Sequence, residues 1–129
     1  RTKTFNRYFN YIYVRMGAHT LIHKRTEDDI WKNLFELPLV ETEKDLSEEE
    51  FLACPQFHAL FAEGEVRMVR TLLRGVKHVL SHRVIYTNFY EVTLPDNSSS
   101  FSSYQRVAVE DLGRYAVPRL IHAFLEKYV

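Results

Sequence analysis

Apolar and polar positions alternate in blocks that favour strands at both ends of this chain. Phe5 to Arg15 is rich in aromatic and β-branched residues and reads as a long strand. Gly17-Ala18 offers a turn, after which His19 to Lys24 would return antiparallel as a hairpin. Leu34 to Val40 is a short apolar run interrupted by Pro38, which suits an edge strand or a strand end. Ser47 followed by Glu50 is a capping box opening a helix that carries Phe51, Leu52, Phe57, Leu60 and Phe61, with Pro55 breaking or kinking it. Val76 to Leu94 is a second strand-rich block, two strands or one bent strand, and Tyr104 to Val109 a short strand. Glu110 to Tyr115 predicts one helical turn. Pro118 suits the first position of a last helix on which Leu120, Ile121, Phe124, Leu125 and Tyr128 recur at helical spacing. The order predicts an α+β domain spanning 1–129, a mixed β-sheet flanked by helices in an α/β/α sandwich, without repeat or linker.

Composition narrows this only slightly. The 129 residues suit one core, and eight Tyr with nine Phe favour strands. Cys54 stands alone, so the chain cannot form an internal disulfide, a four-cysteine zinc site or an iron–sulfur cluster. It reads as a small buried hydrophobe in a reducing, cytoplasmic setting. No run of about 18 apolar residues marks a membrane span, and no signal-peptide pattern is present. The first residue is Arg rather than Met, which reads as an excised domain or a processed product.

Charge is informative through its placement. The formal net charge is zero. Every charged residue from Arg1 to Lys24 is basic, whereas acids dominate from Glu27 to Glu50. Val66 to Tyr90 contains no Asp or Glu and carries Arg67, Arg70, Arg74, Lys77 and Arg83. A local cationic surface can hold phosphates on a neutral protein, although a charge run is more often a solvated strand face. Within it, Lys77-His78-Val79-Leu80-Ser81-His82-Arg83 joins an apolar wedge, a hydroxyl and imidazoles in sequence. His19 and His23, like His78 and His82, are four apart. That spacing binds zinc on a helix, but these segments read as strands, where such residues lie too far apart. His58 and His122 fall in helical patterns as ordinary surface or core-edge residues, and Trp31 reads as a core or cover residue.

Four strings taken together resemble the Nudix-like C-terminal domain of MutY-type adenine DNA glycosylases. They are Tyr8-Phe9-Asn10-Tyr11; Lys24-Arg25 with Ile30-Trp31-Lys32-Asn33-Leu34-Phe35-Glu36-Leu37-Pro38; His78-Val79-Leu80-Ser81-His82; and Leu112 to Leu120. Two departures stand out. Asn33 occupies a position where that family has Gly, and Asn tolerates positive φ best among the other residues. Leu80 stands where Phe is usual; it can wedge between base steps but stacks less well.

The resemblance implies a lesion reader within a base-excision repair enzyme that hydrolyses the N-glycosidic bond of adenine mispaired with 8-oxoguanine. Ser81 would probe the oxidised base, Leu80 would wedge the duplex, and His82 would contact the lesion strand. His78 would orient the loop, with Lys77, Arg83 and Arg74 on phosphates. No catalytic residue, metal or cofactor is expected in this chain. The family's helix–hairpin–helix, catalytic acids and 4Fe–4S cluster belong to an N-terminal domain, which would be a partner alongside double-stranded DNA. A monomer is expected.

Two alternatives stay open. A Nudix pyrophosphohydrolase needs a glycine-initiated loop and an Arg-Glu-x-x-Glu-Glu helix holding divalent metal. Leu37-Pro38-Leu39-Val40 lacks the glycines, and Glu48-Glu49-Glu50 lacks the Arg and the spacing. A protein-interaction module would instead use exposed aromatics such as Tyr86, Phe89 or Tyr90.

Overall fold

The computed structural model describes residues 5–129. Arg1 and Lys3 of the basic N-terminal stretch lie outside the described residues. Strand β1 (Phe5–Arg15) is the centre of the architecture. It pairs antiparallel with β4 (Leu39–Thr42) on one edge and parallel with β6 (Arg83–Thr93) on the other. Strand β5 (Met68–Leu80) closes the sheet against β6, giving the order β4-β1-β6-β5. A smaller sheet is formed by β3 (Phe35–Glu36), β2 (His19–Lys24) and β7 (Gln105–Ala108), in the order β3-β2-β7.

The pleat of β1 and β6 sends alternate residues to two separate cores. Phe9, Tyr11 and Tyr13 join Ile85 and Phe89 beneath the smaller sheet and helix α3 (Arg119–Tyr128). Ile12 and Val14 join Tyr90 and Val92 beneath α1 (Glu48–Ala53) and α2 (Pro55–His58). Burial on both faces accounts for the nearly continuous apolar run in β1, as in other central strands with covered faces. The predicted α+β sandwich with a mixed sheet is the observed fold.

Several expectations change in detail. The β1–β2 hairpin is a stub. Gly17 takes φ +61° and Met16 pairs with His19, after which β2 departs into the smaller sheet. β6 runs along the whole of one edge of β1, and β4 takes Tyr8 to Tyr11 on the other, so only the end of β1 beside the turn is left for β2. Pro38 separates β3 from β4 and places them in different sheets, while its carbonyl still accepts from the Ile12 amide at 2.9 Å. The second strand block is a hairpin that begins at Met68, well before Val76. Register shifts between Thr71 and Val76 bend β5, and Gly75 at φ +70° donates its amide to Asn88 Oδ1 at 2.8 Å. This bulge breaks the alternation that would have marked the strand.

The Ser47–Glu50 capping box forms in both directions, at 3.1 and 2.9 Å. Pro55 starts α2 rather than kinking one longer helix. The turn after β7 is a 3-10 helix over Val109–Arg114, and Pro118 caps α3 one residue before its first position. Cys54 is half-buried against the second core rather than fully enclosed. Phe89 and Tyr90, considered above as exposed docking aromatics, are fully buried because each points into one of the two cores.

Candidate nucleic-acid interface

The segment Lys77 to Arg83 forms the tip of the β5–β6 hairpin. Leu80 pairs with Arg83, leaving Ser81 and His82 as the two turn residues. Both are exposed. The carbonyl of His82 accepts from the Phe5 amide at 3.0 Å, so the turn is tied to the start of β1. Alternation then sorts the neighbours. His78 and Leu80 face the first core, and Leu80 packs against it. Lys77 and Val79 face the opposite side, where Val79 is 66% exposed. The apolar side chain that projects at the tip is therefore Val79, while Leu80, read from sequence as a wedge, sits in the core-facing row of the pleat. Lys77 lies opposite Tyr86, whose ring stacks on Tyr8 with centroids 5.6 Å apart.

The acid-free stretch splits into two groups of cations. Arg67 donates to the Gly64 carbonyl at 2.7 Å, and Arg70 is paired with Glu91 at 2.6 Å. Arg74 donates to the Tyr90 hydroxyl at 2.6 Å and to the Leu46 carbonyl at 2.8 Å. Arg74 thus fastens β5 to the segment leading into α1, and these two bonds would compete with the phosphate contact expected of it. Lys77 and Arg83 have no side-chain hydrogen bond or ion pair among the described residues. The unneutralised charge of this stretch is concentrated at the hairpin tip.

The tip rests on the loop between β2 and β3. Trp31 meets His78 edge to face at 6.0 Å and Phe9 at 6.1 Å. The loop holds two unusual backbones, Trp31 at φ +59° and Asn33 at φ +72°. Asn33 does adopt the left-handed conformation that its resemblance to a glycine position anticipated. Beneath them Arg25 is buried, donating to the Ile30 carbonyl at 3.0 Å, to Glu36 at 2.9 and 3.1 Å, and to Asp29 at 2.9 Å. Glu36 also accepts from the Tyr11 hydroxyl at 2.7 Å and contacts His23 Nε2 at 2.9 Å. Burial, with Glu36 beside it, pushes the Tyr11 hydroxyl well above its ordinary value. Arg7 bridges Asp29 and Glu41, and its hydrogen bonds hold Asp29 down at about 2. The sequence marked Lys24-Arg25 and Trp31 as a motif. Their work here is to fix the loop under the hairpin, a role visible only once Glu36 and Asp29 are brought to Arg25.

The arrangement is suited to binding. Exposed hydroxyl and imidazole groups at Ser81 and His82 flank an apolar knuckle and two unpaired cations. His19 and His23 both lie on β2, and His23 is committed to Glu36. Glu48, Glu49 and Glu50 occupy the exposed first turn of α1, where they favour the helix dipole, and Glu50 completes the capping box. Among the described residues no group of three or more His, Cys, Asp or Glu is arranged to hold a metal ion.

Fold and site together define a Nudix-like α+β domain with an exposed basic hairpin. The sequence matches the NUDIX domain over residues 10–127, and the chain belongs to that family. No curated protein sequence matches it. Among solved structures it is similar to the complex between the C-terminal domain of mouse MUTYH and human PCNA, with 14% identity, TM-score 0.67, and 95% and 86% of the two chains covered. It is also similar to the MutT protein from Methanosarcina mazei Go1, with 17% identity, TM-score 0.61, and 98% and 95% covered. The E. coli ORF135 protein matches at 14% identity and TM-score 0.60, over 95% and 88% of the chains. No helix among the described residues is long and apolar enough to cross a membrane.

Proposed function

We propose that this domain reads 8-oxoguanine opposite adenine in double-stranded DNA, as the non-catalytic module of an adenine DNA glycosylase. The observation that carries the reading is the exposed Ser81-His82 turn, with Lys77 and Arg83 unpaired beside it. Oxidation at C8 of guanine adds a carbonyl oxygen and turns N7 from an acceptor into an N7–H donor. A hydroxyl both donates and accepts, so Ser81 can answer that change. One neutral hydrogen bond contributes about 0.5–1.5 kcal/mol net, a several-fold preference, so His82 and the duplex distortion must supply the rest. Val79 is the side chain placed to press on a base step, and Lys77 and Arg83 would hold phosphates. Hydrolysis of the adenine glycosidic bond, with its extruded base and 4Fe–4S cluster, is assigned to a separate catalytic domain.

The test is an NMR titration at low salt with two duplexes, 8-oxoguanine:adenine and guanine:adenine. Larger shifts at His78 to Arg83 with the lesion duplex are expected. Equal shifts would reduce the domain to a phosphate binder, and shifts elsewhere would sink the assignment. Family membership and the likeness to MutT support a second reading, nucleotide pyrophosphohydrolysis. Release of a nucleoside monophosphate from a nucleoside diphosphate derivative with magnesium would establish it.

A further inference from the structure

A second site is formed at the opposite end of the large sheet. From Phe5 beside the hairpin tip to Arg15, ten residues of strand span about 33 Å, so the two regions are independent. There a cleft of about 690 Å³ opens between the sheet, the β1–β2 turn and the C-terminal end of α3. That volume lies within the usual range for small-ligand sites.

The chemistry of its floor is out of place in a core. On the face of β6 that carries Ile85 and Phe89, the next apolar position is taken by Glu91. Its side chain is only 7% exposed. Arg70 donates to one carboxylate oxygen from Nε at 2.7 Å and from Nη2 at 2.6 Å. Arg15 approaches the other from Nη1 at 3.6 Å. Both arginines remain more than half exposed, at 52% and 57%. For stability alone, apolar residues in such a place serve as well or better than buried ions. Small-ligand sites are mostly apolar clefts with a few convergent polar groups, which is the arrangement here.

The triad carries two positive charges and one negative. Arg15 makes no side-chain hydrogen bond among the described residues, so its N–H groups are available to the cleft. Tyr128 supplies aromatic surface, and the buried Tyr13 reaches the floor only by its edge. Burial raises the Tyr13 hydroxyl above its ordinary value, so it stays a donor. Glu110 on the lip opposes a second negative charge.

We propose that this cleft binds a monoanion, a carboxylate carried on a flat apolar body, with Arg15 and Arg70 on the carboxylate and Tyr128 against the body. Arg–carboxylate pairing is the geometry best matched to those donors. Such a carboxylate can come from a free aromatic acid or from the C-terminus of a peptide ending in an aromatic residue.

The experiment is an amide NMR titration with phenylacetate, N-acetylphenylalanine and phenylphosphate. Saturable shifts around Tyr13, Arg70 and Glu91 are expected with the two carboxylates, with a dissociation constant of about 1 mM or tighter. Tighter binding of N-acetylphenylalanine would identify a peptide terminus as the source; tighter binding of phenylacetate would identify a free acid. Arg15→Gln should weaken either about tenfold, with the amide spectrum of the free variant showing that the fold is kept. Absence of saturable shifts with both carboxylates, tighter binding of the dianionic phenylphosphate, or unchanged affinity in Arg15→Gln would each overturn the proposal.

Discussion

His78 and Trp31 meet edge to face, with ring centroids 6.0 Å apart, and this contact joins the hairpin to the loop beneath it. The indole also touches Phe9, a fully buried residue of the first core. The half-buried Trp31 thus joins Leu80 in referring the orientation of the tip to the core. Trp31→Ala should cost about 2–3 kcal/mol, below the range for a fully buried Trp. It should also move the amide resonances of Ser81 and His82, at the tip beyond His78. Urea denaturation and an NMR spectrum of the variant check both parts. A stability loss with unchanged turn resonances would show that the hairpin holds its own shape.

Asn33 is the turn residue where a change of backbone freedom can be measured cleanly. Its φ of +72° favours Gly and tolerates Asn. Asn33→Gly is expected to change stability by no more than about 0.5 kcal/mol. Asn33→Ala should cost about 1–2 kcal/mol, and the β-branched Asn33→Val at least as much. Denaturation midpoints of the three variants test the order.

These two residues illustrate what the sequence could and could not convey. Asn33 was legible because a single residue type carries its own backbone preference. The central strands were legible because two covered faces demand an apolar run. The departure of β2 was not, since it depends on β6 taking one edge of β1 and β4 taking Tyr8 to Tyr11 on the other. The first half of β5 was masked by Arg70, Arg74 and the bulge at Gly75, which interrupt the period of two. At the candidate site, the Ser81-His82 turn stood out as a motif. The pairing that engages Arg74 and the pleat that turns Leu80 inward and Val79 outward are tertiary facts, set by Tyr90, Leu46 and the first core.

Arg74, Lys77 and Arg83 should separate in experiment. Arg74→Ala loses two hydrogen bonds on a partly buried side chain and should cost about 1–2 kcal/mol. It should leave the salt dependence of DNA binding unchanged. Lys77→Ala and Arg83→Ala should leave the denaturation midpoint nearly unaltered and each lower the salt slope by about 1. Affinity measured over a series of salt concentrations decides. A reduced slope for Arg74→Ala would show that its guanidinium leaves Tyr90 to meet phosphate.

Acid should weaken the fold through two carboxylates in particular. Asp29 is held at about 2 first by its hydrogen bonds from Arg7. Glu65 is held at about 2 by Ser98 and Ser100, with the Ser99 amide adding to them. In the unfolded chain Asp and Glu titrate at about 3.9 and 4.3. As pH falls, the unfolded chain takes up these protons first. The stability they contribute is therefore fully present above about pH 5 and is lost between about pH 4 and pH 2. Asp29→Asn should be less stable at neutral pH and lose less across that window. Urea midpoints of the two proteins at a series of pH values test this, and parallel curves would refute it.

Thr87 offers a gain in stability. It is fully buried on the core face of β6, opposite Phe9 on one side and Val76 on the other. Its hydroxyl has no hydrogen-bond partner. A buried hydroxyl without a partner keeps its desolvation cost and returns nothing, whereas a methyl group of nearly the same size gains from the same surroundings. Thr87→Val should therefore stabilise by about 1 kcal/mol, raising the thermal midpoint by about 4 °C for a chain of this length. Thr87→Ser retains the hydroxyl, removes the methyl and should lower the midpoint by a similar amount. Calorimetry of the two variants brackets the effect. A lower midpoint for Thr87→Val would mean that the hydroxyl is satisfied in solution, and the pair Phe9 and Val76 would then have to leave room for a water beside it.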